Sequence, residues 1–261
     1  MVKGNNWQIP IHTKVEFFKK NNKYCLCIPV INEGEKFINQ LRKIKKLALP
    51  VDVIIADGGS NDGSTVPKLL KKLNVRTLLI KKDTGRLSAQ LRMGYFYALK
   101  EGYKGIITID GNGKDDPKDI LKFITGLEDG FDYLQGSRFI KGGKAINTPL
   151  IRLIANRFIH APLLSLFSGF WFTDTTNGFR AYSARYLLDK KVALFRDIFK
   201  NYELLFYLTL RANQLGYKVK EIPVTRKYPR GKIPTKINFL NMIDIFWSLI
   251  KVIAGFYHPK I

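Results

Sequence analysis

Apolar runs alternate with amphipathic segments through the first half of the chain. Four runs of apolar residues predict strands at 24–30, 51–57, 75–81 and 105–110. Between and after these runs, apolar residues spaced three or four apart predict helices at 33–47, 65–73 and 87–101. Strands that alternate with helices are typical of an α/β fold, in which a mostly parallel sheet is covered by helices on both faces.

The second half of the chain contains two longer apolar segments. In the segment 149–172, Arg152, Asn156 and His160 share one helical face opposite Leu, Ile and Phe, and Pro162 is expected to break or kink the helix. The segment 239–256 has one narrow polar stripe, formed by Asn238, Asn241, Asp244, Ser248 and Lys251. Since Asp244 and Lys251 interrupt this segment, no clean membrane span is predicted. Both segments favour contact with a membrane interface, and burial against the sheet or in a dimer is the alternative.

Ligands of parallel sheets bind beyond the carboxyl ends of the strands. Four loops rich in Gly, Asp or Asn lie there, at 29–33, 57–64, 83–86 and 110–117. A carboxylate in one such loop can accept hydrogen bonds from a base or ribose, and one in another can hold a divalent cation on a diphosphate. The chain lacks the glycine-rich signatures of dinucleotide and P-loop sites. These loops therefore favour a nucleoside diphosphate ligand, although Asp-Gly is also common turn chemistry.

The charge of the chain favours anionic partners. Its 261 residues include 44 Lys and Arg but only 21 Asp and Glu, which gives a formal net charge of +23. Such a field attracts nucleotides, anionic membranes or nucleic acid. The absence of zinc-finger spacing and of an RNP-like motif disfavours nucleic acid. The two cysteines, Cys25 and Cys27, exclude a disulfide scaffold, and the N-terminal residues lack a signal-peptide core, so a cytoplasmic protein is expected.

Six short motifs occur in a definite order along the chain. They are CIPVINE (27–33), DGGSNDGS (57–64), IDGNGKDDP (109–117), GSRF (136–139), DTTNGFR (174–180) and GYKVKEIPV (216–224), with Thr235-Lys236 beyond them. In this order they resemble the family 2 glycosyltransferases of GT-A fold, in particular the dolichyl-phosphate mannose synthase-like and polyprenyl-phosphate glycosyltransferase branch. The resemblance covers roughly residues 24–240 and implies a Rossmann-like, mostly parallel sheet.

The resemblance implies a nucleotide-sugar site at the strand ends. Its expected members are Pro29, Val30, Glu33, Asp57, Gly59, Arg86, Asp110, Gly111 and Asn112. Asp110 and Asn112 are also the implied ligands of Mg²⁺ or Mn²⁺. Asn112 stands where the family has a second acid, and Lys114 stands where it has glutamine, so the metal prediction is weakened and Asp115 or Asp116 is a possible substitute.

The resemblance also implies residues that bind phosphate and take part in catalysis. The expected phosphate ligands are Arg138, Arg152, Arg226, Arg230 and Lys236, and the resemblance does not choose between Arg226 and Arg230. The expected catalytic residues are Asp110, Arg138 and Asp174. Asp174 is the candidate base for a hydroxyl acceptor, whereas an ionised phosphate acceptor needs no strong base.

The implied activity is inverting transfer of a sugar from a nucleoside diphosphate sugar to a polyprenyl phosphate, by a protein peripheral on the inner face of the membrane. Two alternatives stay open: a glycosyltransferase with a saccharide or other hydroxyl acceptor, and a non-catalytic binder of nucleotide or membrane. The predicted organisation is an N-terminal extension (1–23), a GT-A domain (24–236) and a C-terminal amphipathic helix (237–261) that lies at the membrane interface or pairs with a second copy.

Overall fold

A computed structural model describes residues 7–229 and 239–259, and for 239–242 only the backbone. The strands are β1 His12–Glu16, β2 Tyr24–Val30, β3 Val51–Asp57, β4 Val75–Lys81, β5 Gly105–Thr108, β6 Tyr133–Ser137, β7 Lys144–Ile146, β8 Arg180–Ser183, β9 Val219–Pro223 and β10 Thr225–Lys227. The α-helices are α1 Glu35–Leu47, α2 Pro67–Lys72, α3 Leu87–Lys100, α4 Ile120–Glu128, α5 Leu150–Ala155, α6 Ala161–Ser168, α7 Ala184–Leu187, α8 Glu203–Gln214 and α9 Phe239–Ile253. A 3₁₀ turn, Pro117–Asp119, precedes α4.

Eight of the strands form one mixed sheet in the order β1-β4-β3-β2-β5-β8-β6-β9. The four strands β4, β3, β2 and β5 run parallel, and β8 lies antiparallel between β5 and β6. Strands β2 and β3 are buried along their whole length, as expected for parallel strands covered on both faces. The predicted α/β class is confirmed. A second, two-stranded sheet pairs β7 with β10.

Two apolar cores lie on opposite faces of the large sheet. One contains the inward face of α1, with Phe37, Leu41 and Ile44, together with residues of α4. The other contains residues of α3, α6 and α8, including Leu91 and Leu208. Because helices cover both faces, the loops at the carboxyl ends of the parallel strands are left as the accessible edge of the sheet.

The residues before the first predicted strand take part in the sheet. His12–Glu16 forms β1, which pairs antiparallel with β4 at the sheet edge. Its polar residues gave no strand signal, because an edge strand exposes one face and needs no apolar run. The division of the chain at residue 23 stays a prediction.

A surface helix, residues Leu150–Ser168, lies against α8 with much of its apolar surface uncovered. It comprises α5, a π-helical turn at Asn156–His160, and α6. Asn156 and His160 are buried, whereas the most exposed members of the other face are Leu150, Ile151, Phe158 and Leu166. The helix continues past Pro162, because the wider π-helical turn accommodates a residue that has no amide hydrogen.

The surface helix is also the one helix among the described residues that is long and apolar enough to cross a membrane, by length and composition alone. This property was not predicted from the sequence. Only 22% of the apolar 18-residue stretch of this helix is buried inside the protein. A core helix of the same composition would be mostly buried, so this helix differs from a core helix in leaving an apolar face exposed.

The predicted C-terminal helix is present as α9 and packs on α8. Leu249 and Val252 are buried in this contact, while Phe246 and Trp247 on another face are exposed. The predicted residues Arg230, Lys236 and Asn238 and the side chain of Asn241 lie outside the described part of the chain.

Candidate active site

Asp57 ends β3 and organises the loop that follows it. Its Oδ1 accepts hydrogen bonds from the amide of Gly59 (3.1 Å), the amide of Ser60 (2.9 Å) and the Ser60 hydroxyl (2.7 Å). Its Oδ2 accepts a hydrogen bond from Thr65 (3.1 Å). The carboxylate is buried, so its first effect is to shape the loop in which the exposed Gly59 lies.

The loops after β2 and β3 are joined directly. The amide of Asn32 donates to the Ser60 hydroxyl (3.0 Å), and the Asn32 side chain accepts from the amide of Asn61 (2.9 Å). The amide of Gly34 donates to Asp62 (2.7 Å). Asn32 adopts a positive φ of 48°, which asparagine tolerates better than most residues. These contacts bring together two of the loops predicted to line the nucleotide.

Gln90 on α3 joins the same two strands from below the loops. Its Nε2 donates to the carbonyl oxygens of Val30 (2.8 Å) and Ala56 (3.0 Å). The buried Pro29 accepts a hydrogen bond from the amide of Gly111 (3.3 Å), which links β2 to the loop after β5. Among the predicted nucleotide residues, Arg86 lies further along the sheet edge, at the start of α3, and is exposed.

The loop that carries Asp110 is held by Gln40 on α1. Gln40 Nε2 donates to the Asp110 carbonyl (3.0 Å), and its Oε1 accepts from the amide of Gly113 (3.0 Å). Gly178 approaches from β8's side so closely that a Cβ there would overlap the Asp110 carboxylate. The position of this carboxylate is therefore determined from two sides, while 27% of the side chain stays exposed.

Arg226, in β10, bridges two carboxylates. Its Nη2 donates to Asp110 Oδ2 (3.0 Å), and its Nη1 donates to Asp115 Oδ2 (2.5 Å) and to Asn177 Oδ1 (3.3 Å). Both Arg226 and Asp115 are buried. Burial raises the pKa of Asp115 to about 6, and Arg226 opposes this shift only in part. The structure thus joins the predicted phosphate ligand Arg226 to the predicted metal ligand Asp110.

Several cationic groups surround the buried ring of Tyr228. Lys114 Nζ lies 5.0 Å from its ring centroid, and the guanidinium carbons of Arg226 and Arg152 lie 5.7 and 5.8 Å from it. Burial by itself would raise the pKa of Tyr228, but Arg226, Arg138 and Arg152 outweigh it and lower that pKa below its ordinary value. Burial, together with Arg226 and Arg152, lowers the pKa of Lys114. This concentration of positive charge suits a phosphate or diphosphate.

Arg138 and Asp174 form a buried, bidentate ion pair. Arg138 Nε lies 2.6 Å from Asp174 Oδ2, and Arg138 Nη2 lies 2.9 Å from Oδ1. Asp174 also accepts from the amide of Arg138 (3.2 Å) and from Asn156 Nδ2 on the surface helix (3.1 Å). The Asp174 amide donates to Glu221 (3.1 Å), whose pKa is raised by burial. Asp174 is completely buried, so its carboxylate oxygens accept hydrogen bonds from other groups of the protein.

A cleft of about 850 Å³ opens beside the Asp110 loop, on the side of α1. Its lining includes Asn112, Asp115, Tyr228 and six lysines: Lys36, Lys43, Lys46, Lys114, Lys118 and Lys227. Asp57 and Pro29 do not line it. The cleft therefore borders the cationic groups around Tyr228 and is separate from the loops predicted to contact the base.

The model of the family described as glycosyl transferase family 2 matches residues 25–202. The chain belongs to glycosyl transferase family 2. It is 27% identical over 201 residues to the polyprenol monophosphomannose synthase of Mycolicibacterium smegmatis, covering 76% of this chain and 75% of the relative. It is 28% identical over 202 residues to the undecaprenyl-phosphate mannosyltransferase of Micrococcus luteus, covering 76% and 81%. The predictions that this protein is a family 2 glycosyltransferase and an enzyme are confirmed.

Solved structures confirm the predicted GT-A fold. The glucosyl-3-phosphoglycerate synthase of Mycobacterium tuberculosis, crystallised with Mn²⁺ and UDP, matches with a TM-score of 0.63 at 15% identity. The match covers 91% of this chain and 81% of that structure. Enzymes of this fold thus include ones that bind a divalent metal together with a nucleoside diphosphate.

The described residues around Asp110 do not fit such a metal. Hard cations take several oxygen ligands, usually with one or more carboxylates. Here Asp110 Oδ2 faces the Arg226 guanidinium and, at 3.4 Å, the Asn112 amide nitrogen, while Asn112 Oδ1 accepts from the Lys114 amide (3.2 Å). The described residues include no group of three or more His, Cys, Asp or Glu side chains placed to hold a metal ion. The assignment of Asp110 and Asn112 as metal ligands stays a prediction, and this geometry argues against it.

Four residues with clear contacts in the site were not found from the sequence: Gln40, Gln90, Asn177 and Gly178. Gln40 had a usable signal, because it is a polar residue on the buried face of α1, between Phe37 and Leu41. Gln90 had no such signal, because nearly every residue around it in α3 is buried and no single buried face stands out. The roles of Asn177 and Gly178 depend on contacts with Arg226 and Asp110, 49 and 68 positions away, which no local pattern encodes.

Proposed function

We propose that this protein transfers a sugar from a nucleoside diphosphate sugar to a polyprenyl phosphate at a membrane surface. The observation that carries the proposal is the two-sided character of the surface helix. Its outer side is apolar and exposed, and its inner side contributes Arg152 and Asn156 to the cationic part of the site. A polyprenyl phosphate has the same two parts, an apolar chain and an anionic head.

The outer side is large enough to contact lipid. On the surface helix, Phe158 and Leu166 are 76% and 75% exposed, and Leu150 and Ile151 are 68% and 61% exposed. Trp171, three residues beyond the end of the helix, is 74% exposed. Aromatic and aliphatic residues in such numbers are typical of helices that lie in a membrane interface. The formal net charge of +23 adds attraction to anionic lipid.

The inner side favours a phosphate over a hydroxyl as the acceptor. A hydroxyl acceptor needs a base, and Asp174 was the candidate. Asp174 is completely buried and bound to Arg138 through two hydrogen bonds, so its carboxylate is not available to remove a proton. A phosphate monoester, with a second pKa of about 6, is already mostly ionised near neutral pH and needs only to be positioned.

In the proposed step, an oxygen of the acceptor phosphate forms a bond to the anomeric carbon of the sugar. The bond between that carbon and the donor diphosphate breaks, and its electron pair leaves with the nucleoside diphosphate. Displacement from the opposite face inverts the configuration. The chain would bind the base through the loops at Pro29–Glu33 and Asp57–Gly59, and Arg138, Arg152 and the groups around Tyr228 would stabilise negative charge on the phosphates.

The names of the two bacterial relatives also support this acceptor, since both refer to polyprenyl or undecaprenyl phosphate carriers. Location on the inner face of the membrane, and pairing of α9 with a second copy, remain parts of the hypothesis. Transfer to a saccharide hydroxyl and non-catalytic binding are its competitors.

A transfer assay tests the proposal. The protein would be incubated with labelled UDP- and GDP-sugars and polyprenyl phosphate, and label would be counted in the organic phase. We expect organic label that is lost in Asp110→Ala and retained in the control Asp129→Ala, which changes an exposed acid beyond α4. Label only on added saccharides would replace this function by the hydroxyl-acceptor one, and binding without any turnover would favour a non-catalytic role.

A further inference from the structure

Arg226 places a positive charge directly beside Asp110. It lies against Asp110, the acid that begins the metal motif of related enzymes, and it is buried at 6% exposure. Its second branch is held by Asp115 and Asn177, so the guanidinium is bound on both sides. The strand β10 that carries it pairs with β7, which sets its backbone as well.

The charge of Arg226 does not depend on pH in the working range, because a guanidinium stays protonated. Its two terminal nitrogens donate to two different carboxylates, and Lys114, two positions beyond Asn112, lies near the same Tyr228 ring as Arg226. A leaving diphosphate that approaches Asp110 therefore meets resident positive charge. A divalent ion at Asp110 would instead be repelled by Arg226 and Lys114.

We propose that this enzyme binds and releases the diphosphate of its donor without a divalent cation, with Arg226 and Lys114 supplying the positive charge beside Asp110. The inference rests on the proposed function, because it assumes a nucleoside diphosphate donor. In the transfer step, the electron pair of the broken bond passes to the diphosphate, and the two side chains stabilise the resulting charge. No co-reactant is required, since the acceptor phosphate supplies the new bond.

The first test is binding of UDP and GDP by calorimetry, in excess EDTA and in excess Mn²⁺. We expect the dissociation constant of the bound nucleotide to agree within about threefold between the two buffers. Tighter binding by about tenfold or more with Mn²⁺ would overturn the inference and leave the proposed function intact. Failure of both nucleotides to bind in either buffer would overturn the proposed function and the inference together.

The second test uses Arg226→Met. This variant leaves Asp110 and Asp115 without their cation, so we expect it to bind the nucleotide more weakly than the wild-type protein in EDTA. We also expect Mn²⁺ to strengthen nucleotide binding by the variant, an effect that the wild-type protein does not show. If Arg226 had a purely structural role, the variant would lose nucleotide binding and Mn²⁺ would not restore it, which would overturn the inference. Arg185→Met is the matched control, because the exposed Arg185 also pairs with a buried carboxylate, that of Asp132, away from the site.

A third variant keeps the inference testable if Arg226→Met does not fold. Asn112→Asp combined with Lys114→Gln restores an acid and removes a cation while Arg226 is retained. We expect this variant to bind Mn²⁺, measured by the paramagnetic signal of the free ion, more tightly than the wild-type protein does. Equal Mn²⁺ binding by both proteins at the level of a known metal-dependent relative would contradict the proposal.

Discussion

The exposed apolar side of the surface helix gives a quantitative prediction for membrane binding. Replacing Phe158, Leu166 and Trp171 by serine removes three side chains that are each about three-quarters exposed. Full burial of such a side chain is worth about 2 kcal/mol, so three side chains at three-quarters exposure amount to about 4.5 kcal/mol. We therefore expect the triple variant to partition into membranes about a thousandfold less than the wild-type protein.

The assay is sedimentation with liposomes that contain anionic lipid, at an ionic strength high enough to screen the basic surface. Thermal unfolding would check the fold, which exposed substitutions should change little. Leu121→Ser is the control, since Leu121 is 49% exposed on α4, which packs on the opposite face of the sheet. Partitioning of the triple variant within about threefold of the wild-type protein would refute the assignment of this side to lipid.

Three further predictions concern the site and its support. Gly178→Ala should displace the Asp110 carboxylate and lower the transfer rate roughly a hundredfold; an unchanged rate would show that Asp110 tolerates the shift. Asp174→Asn leaves Arg138 as an unpaired buried charge and should lower the free energy of unfolding in urea by about 3 kcal/mol or more; an unchanged midpoint would contradict this. Burial lowers the pKa of His160 to about 4, so the unfolded chain binds a proton that the folded one does not as the pH falls below 6.5. Stability should therefore decline by about 3 kcal/mol between pH 6.5 and 4, and His160→Asn should flatten this decline in pH-dependent unfolding.

Sequence patterns predicted the part of the fold in which burial is continuous. The strands at 24–30, 51–57 and 75–81 were predicted with the bounds that the structure gives, because each is an apolar run covered on both faces. The strands β6 and β8 were missed. They are short and contain buried polar residues such as Gln135 and Arg180, which are satisfied by partners distant in the chain.

The candidate site also has a part that local sequence patterns predicted and a part that they did not. The loops that carry Asp57 and Asp110 were predicted, because strand ends and Asp-Gly pairs are local features. The role of Arg226 was left open against Arg230, because its contact with Asp110 spans 116 positions and depends on the pairing of β10 with β7. The same holds for Asp174, whose pairing with Arg138 was not visible because the two residues belong to different motifs, 36 positions apart.

The π-helical turn at Asn156–His160 determines which residues of the surface helix face outward together. In a regular α-helix, Ile154 and Leu166 would point about 120° apart, since twelve residues turn through three rotations and a third. The turn absorbs one additional residue, which reduces this angle to about 20° and aligns the two side chains, both of which are exposed. If the same residues formed a regular α-helix instead, Leu166 would turn by about 100° away from the direction of Ile154, and the exposed apolar strip would end halfway along the helix.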